Sequence, residues 1–123
     1  EPILGAEDVR PGTFVAAVGA DHPEKQEIAP TLMAASRVVV DVLEQAATIG
    51  DLHHALAAGV LTRADVDAEL GEVVAGRKPG RRTPEETIVF DSTGMALQDV
   101  AAAATVYERA LQAGRGLAVL LGA

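Results

Sequence analysis

Apolar residues come in short runs between glycine and proline turns until about residue 94, and in one long stripe after it. Thr13 to Val18 lies between the turn Val9-Arg10-Pro11-Gly12 and Gly19. Its length and β-branched content predict a strand buried on both faces. A helix follows from Pro30 to Ser36, with Leu32, Met33 and Ala35 as its apolar side. Arg37 to Val42 is the clearest strand, because three consecutive valines lose rotamer freedom in a helix and suit a pleated sheet. Leu43 to Ile49 reads as a helix that Gly50 ends with positive φ. Asp51 then caps a helix over Leu52 to Ala58, closed by Gly59.

Thr62-Arg63-Ala64-Asp65 carries a capping signal for a further short helix, continued by Glu69 to Ala75 and stopped by Gly76. Arg77 to Arg82 is a basic loop, and Thr83-Pro84-Glu85-Glu86 makes a short turn. Thr87 to Phe90 is the third strand. From Met95 to Gln112 the residues Ala96, Val100, Ala103, Tyr107 and Ala110 recur in four- and three-residue steps, which predicts one face of a long helix. Gly114 ends it, and Leu117 to Leu121 is a last strand or an extended tail. Apolar strands alternating with helices predict an α/β fold with a parallel sheet of about three strands, crossover helices and a long C-terminal helix.

Composition narrows this picture. Aromatic residues are 2% of the chain against 49% hydrophobic overall, so the core must be aliphatic and rich in alanine. A net charge of -8 argues against a nucleic-acid partner, which needs a basic face. No segment approaches the roughly 20 apolar residues needed to cross a bilayer. The absence of cysteine excludes disulfides, thiolate metal sites and a cysteine nucleophile, and fits a cytoplasmic protein. The opening Glu1-Pro2-Ile3-Leu4-Gly5 reads as the middle of a longer protein.

Ligands of open parallel sheets bind beyond the carboxyl ends of the strands. Those ends present Gly19-Ala20-Asp21-His22-Pro23, then Asp41, then Asp91-Ser92-Thr93-Gly94. The third lies at the start of the long helix, where free N–H groups favour a carboxylate, a carboxamide oxygen or a phosphate. Ser92 or Thr93 serves equally well as a simple helix cap. Asp21 is either a general acid/base or a cap, and Lys25 four residues on can pair with it. His53 and His54 are neighbours on one helix, unsuited to sharing a metal, and His22 lacks a partner histidine, so no metal site is expected. The chain carries no Gly-x-Gly-x-x-Gly turn, phosphate-binding P-loop or Gly-x-Ser-x-Gly elbow.

Four stretches carry a resemblance: RPGTFVAAVGADHPEKQEI, RVVVDVLEQAATIGDL, ELGEVVAGRKPGR and TIVFDSTGMALQDVAAAATVYERA. In content, order and spacing they resemble the ornithine cyclodeaminase/mu-crystallin family, which includes archaeal-type alanine dehydrogenase. The resemblance implies a two-domain enzyme, of which residues 1–123 are part of the Rossmann-type NAD(P)-binding domain. Residues from about 95 to 123 would lead back toward a missing substrate and dimerisation domain. Asp21 matches the family's catalytic acid/base in a Gly-x-Asp-x-Pro-x-Lys pattern, and Lys25 a cofactor-proximal lysine. Ser92 matches a residue near the nicotinamide, with Asp91, Thr93 and Gly94 shaping that wall.

The implied cofactor is NAD or NADP, and the implied substrate a small amino acid or a cyclic imine. The implied partners are the missing N-terminal part of the same protein and a second copy in a homodimer. The implied reaction is hydride transfer at an amine- or imine-bearing carbon. The alternative is a non-catalytic small-molecule-binding protein of the mu-crystallin kind. An isolated half of a Rossmann unit is expected to be inactive, because it lacks the turn that binds pyrophosphate.

Overall fold

The structure, a computed structural model, describes residues 1–119. Four strands form one all-parallel sheet: β1 (Phe14–Ala17), β2 (Arg37–Val40), β3 (Ala68–Glu69) and β4 (Ile88–Asp91), in the order β1-β4-β2-β3. The helices are α1 (Pro30–Ala34), α2 (Leu43–Ile49), α3 (Asp51–Ala57), α4 (Leu70–Val74) and α5 (Ala96–Gln112). The last strand in the chain is inserted between the first two. Ala17, Asp91 and Val40 consequently sit at one level across the sheet.

The in-register pairs decide which side chains share a face, because successive residues of a strand point to opposite sides. Val15, Val89 and Val38 lie on one side with Ala17, Asp91 and Val40. There Leu32, Met33, Ala46, Ala47, Leu52 and Ala55 of α1, α2 and α3 complete an entirely aliphatic core. On the other side Phe14, Val39, Ile88 and Phe90 line a recess of about 480 Å³ with Leu70 and Val73 of α4. β2 is buried along its whole length. β1 is not buried on both faces, since Phe14 and Ala16 are exposed. Parallel sheets are ordinarily covered on both sides, and among the described residues no helix covers this end of the second face.

Several elements depart from the sequence expectation. The additional strand, β3, lies where the sequence pattern predicts helix. It is two residues long, and only its pairing with Val39 and Val40 makes it a strand. The capping signal at Thr62 does hold, but over a single 3₁₀ turn at Arg63–Asp65, where Thr62 N–H donates to Asp65 Oδ2 at 2.7 Å. Gly50 has φ -84°, not a positive value. What requires glycine is space: a Cβ there would lie 2.5 Å from Asp91 Oδ2 and 2.9 Å from the Thr93 methyl.

The long helix is in place, yet α5 buries none of its residues. Leu97, Val100, Val106, Tyr107 and Leu111 are each 63 to 70% exposed. The periodic stripe is real, and among the described residues none of it is buried against the sheet body. Leu117 to Val119 take no regular structure, and the rest of the tail expectation, Leu120 and Leu121, lies outside the described residues. No helix among the described residues is long and apolar enough to cross a membrane.

Candidate functional site

The turn after β4 occupies the middle of the sheet's carboxyl edge, flanked by the ends of β1 and β2. Ser92 N–H extends the ladder by donating to Ala17 O at 2.8 Å. From the β2 side, Asp41 holds the turn. Its Oδ2 accepts from Thr93 N–H at 2.8 Å, Gly94 N–H at 2.9 Å and Ser92 Oγ at 3.2 Å, and its Oδ1 accepts from Thr93 Oγ1 at 3.2 Å. Asp41 and Thr93 are both buried. Gln45 of α2 adds a bond from Nε2 to Gly94 O at 2.7 Å. So Thr93 does not cap α5. Its hydroxyl serves Asp41, and the cap position falls to Met95, which offers no side-chain bond. Gly94 has φ 81°, with open space around the position where a Cβ would sit.

Asp91 behaves differently from its neighbours in the motif. Its side chain points into the helix-covered face and is fully buried. Oδ2 accepts from Leu52 N–H at 2.8 Å, while Oδ1 has no partner. Burial pushes its carboxyl up to about 7, against the pull of the Leu52 and Asp51 N–H groups, and the nearby Asp51 and Asp41 charges add to the rise. Asp91 therefore ties the end of β4 to α3, and it presents no atom to solvent, which removes it from the residues that could touch a ligand directly.

The loop after β1 is open by contrast. Asp21 and Lys25 form an ion pair at 2.5 Å, with side chains 59% and 57% exposed. The hydrogen bond from Lys25, together with its charge, lowers the Asp21 carboxyl below the ordinary range. His22 accepts from Glu24 N–H at 3.3 Å through Nδ1 and meets no other histidine. The loop's far end is anchored. Glu27 Oε2 accepts from Gly19 N–H at 2.7 Å. Asp51, expected to cap its own helix, instead accepts from Glu27 N–H at 2.8 Å and Ile28 N–H at 2.9 Å. Burial raises its carboxyl, opposed by those two N–H groups.

His53 and His54 lie edge to face with ring centroids 5.2 Å apart, and both are spent on backbone carbonyls. Among the described residues no three His, Asp or Glu side chains gather as a metal-ligating group. The basic loop sits at the opposite, amino end of the sheet. Arg37, buried at the start of β2, donates to Pro79 O at 2.8 Å and to Gly80 O, and its Nε lies 3.2 Å from Asp67. Arg82 also pairs with Asp67. These cations strap a loop and are remote from the strand ends that carry Asp21 and Ser92.

Sequence reading thus found Asp21, Lys25, Ser92, Thr93 and Gly94 at one edge, as the structure places them. It missed Asp41 as the anchor of the turn, and it missed Glu27, Asp51 and His54 as anchors of the loop. No local pattern marks these, because their partners lie 8 to 53 residues away.

Residues 1–114 match the model of the ornithine cyclodeaminase/mu-crystallin family. The chain is 49% identical over 111 residues to an alanine dehydrogenase of Archaeoglobus fulgidus, covering 90% of this chain and 34% of that protein. It superposes on an archaeal alanine dehydrogenase dimer with bound NAD at a TM-score of 0.88 and 45% identity, over 99% of this chain and 38% of that one. It superposes equally on a Thermococcus litoralis Δ1-pyrroline-2-carboxylate reductase in complex with NADH and L-proline, at a TM-score of 0.89 and 33% identity, over 96% of this chain and 37% of that one. The chain therefore spans about a third of the length of the relatives it matches.

Proposed function

This chain belongs to the ornithine cyclodeaminase/mu-crystallin family, and from that membership we propose that it forms the later half of an NAD(P)-binding domain in an enzyme that transfers hydride at an amine- or imine-bearing carbon. The observation that carries the reading is the sheet register. Because β4 lies between β1 and β2, the Asp21 loop and the Ser92 turn leave the same edge side by side. Ligands of open parallel sheets bind at that edge.

The residues present suit the nicotinamide end of the cofactor. The Ser92 hydroxyl, after donating to Asp41, keeps its lone pairs for a carboxamide N–H. Gly94 leaves space for a flat ring to approach. The first N–H groups of α5 have no side-chain cap. The pyrophosphate turn would come from the rest of the polypeptide, as would the groups that grip the substrate's carboxylate. The cofactor supplies the hydride acceptor or donor.

Asp21 exchanges protons with the substrate's amine, or with water attacking an imine. Lys25 keeps it ionised in the open site, so it enters the oxidative direction as the base. A substrate that covers Asp21 strips its water and raises its proton affinity, which the reductive direction needs. Ser92, Thr93 and Gly94 form the wall, Asp91 backs it, and Lys25 stands on the cofactor side. The substrate class is a small amino acid or a cyclic imine. α5, which buries nothing on the sheet, would run toward a second domain, and the full-length protein is proposed to be a homodimer.

The test is made on the full-length protein, with NADH binding and turnover measured over a panel of amino acids and cyclic imines. Asp21→Asn is expected to lower kcat by about 10²- to 10⁴-fold, the usual worth of a general acid/base, with little change in NADH affinity. Unchanged turnover in that variant would remove Asp21 from the mechanism.

A further inference from the structure

We propose that Asp51 in the first turn of α3 and His54 in its last are positioning residues that hold the Asp21–Lys25 loop in register with the Ser92 turn; this inference rests on the functional reading above. Helix α3 touches both sides of the site through its first turn. Toward β4, Leu52 N–H donates to the buried Asp91 carboxyl at 2.8 Å, next to the residue that begins the wall. Toward the β1 loop, a single oxygen of Asp51 accepts from Glu27 N–H and Ile28 N–H.

His54 completes the grip. Its Nε2 lies 2.8 Å from Lys25 O. A carbonyl only accepts, so Nε2 carries the proton. Lys25 is thus fixed through its own backbone, and Glu27, next to Asp51's bonds, reaches back to Gly19 N–H at the end of β1. The loop between Gly19 and Ile28 is tied at both ends and at Lys25, while the Asp21 carboxyl itself stays exposed. Gly50 lets α3 approach this closely, since any Cβ there would strike Asp91 and Thr93.

Burial makes the Asp51 contact exacting. Asp51 is fully buried, and its second oxygen has no partner. Only the accepting oxygen is needed to hold the loop, so asparagine in its place keeps both bonds. Alanine leaves two N–H groups unpaired. A misplacement near 1 Å at a reacting group lowers rates by up to about 10²-fold.

The experiment uses full-length protein and measures kcat per NADH-binding site, so that unfolded protein does not count. Asp51→Ala is expected to lower kcat about 10- to 100-fold with nearly unchanged NADH affinity, and Asp51→Asn to restore most of it. His54→Ala, at a half-buried position, is expected to show a smaller loss in kcat that His54→Gln repairs by donating to Lys25 O.

The pH profile gives a second readout. Lys25 and, less strongly, His22 hold the Asp21 carboxyl down. Loosening the loop weakens that hold, so the acid limb of kcat/KM moves to higher pH in Asp51→Ala and His54→Ala. Equal losses in Asp51→Ala and Asp51→Asn overturn the proposal, as do wild-type kcat and an unmoved acid limb in His54→Ala. Asp21→Asn separates the two levels. Where it is inactive while the α3 variants turn over normally, positioning fails alone. Where it remains active, the functional reading and the positioning role fail together.

Discussion

The loop after β1 and the turn after β4 leave the same edge of the sheet, but they place their carboxylates in opposite surroundings. Asp21 is 59% exposed and paired with Lys25. Asp91 is fully buried and has one oxygen without a partner. Their proton affinities move in opposite directions as a result: the Lys25 hydrogen bond and charge lower Asp21, and burial raises Asp91. Two aspartates that look alike at the ends of two strands thus do different work. The exposed one is reached by water, and the buried one ties the end of β4 to α3 through Leu52 N–H.

The sharpest way to break this contrast is to loosen the rigid side. Asp41→Ala deprives the Thr93 and Gly94 N–H groups and two hydroxyls of their acceptor. Of these only Thr93 N–H and Thr93 Oγ1 are buried, and leaving a buried donor unpaired costs about 1–3 kcal/mol, so denaturant unfolding should show a loss of about 3 kcal/mol with weakened NADH binding. A variant as stable as wild type would mean that the turn holds itself.

Next in size is a pH effect confined to the buried side. Asp91 has a folded-state pKa of about 7, raised from an ordinary value of 3.8. A carboxyl raised in this way gives stability that is fully present below its unfolded pKa and lost as pH rises through the folded one. Asp51, also raised by burial, acts in the same direction. Asp91→Asn keeps an oxygen for Leu52 N–H and has no proton to lose. Its melting temperature relative to wild type is therefore expected to climb between about pH 4 and 7. A difference that stays flat across that window would show that Asp91 is ionised in the fold.

The smallest effect belongs to the open side. Exposed ion pairs contribute about 0–1 kcal/mol. Lys25→Ala should leave unfolding free energy within about 1 kcal/mol of wild type, although it removes the group that holds Asp21 down. A larger loss would place the pair among the structural contacts.

The elements themselves were largely legible. Three valines in a row, the apolar run after Pro11-Gly12 and the Thr87 to Phe90 run became β2, β1 and β4. β3 was not legible, because two residues, alanine and glutamate, carry no strand signal apart from the neighbour they pair with. The site was half legible. Asp21, Lys25 and Ser92 stand in motifs of their own, whereas Asp51 looked like a helix cap and Gly50 like a helix stop. Their actual roles depend on Glu27, Ile28 and Asp91, which only folding brings near.

Local pattern was enough to determine an aliphatic α/β body, a long amphipathic helix and carboxylates at three strand ends, because period, β-branching and turn residues act over a few neighbours. Only the tertiary structure decided that β4 enters between β1 and β2. That placement sets Asp21 in the open beside a turn braced by Asp41, with Asp91 buried at its base. Strand order is a long-range choice, made by which apolar faces bury together and not by any residue's own preference, so a carboxylate's place at a strand end was visible in the chain, and whether water reaches it was not.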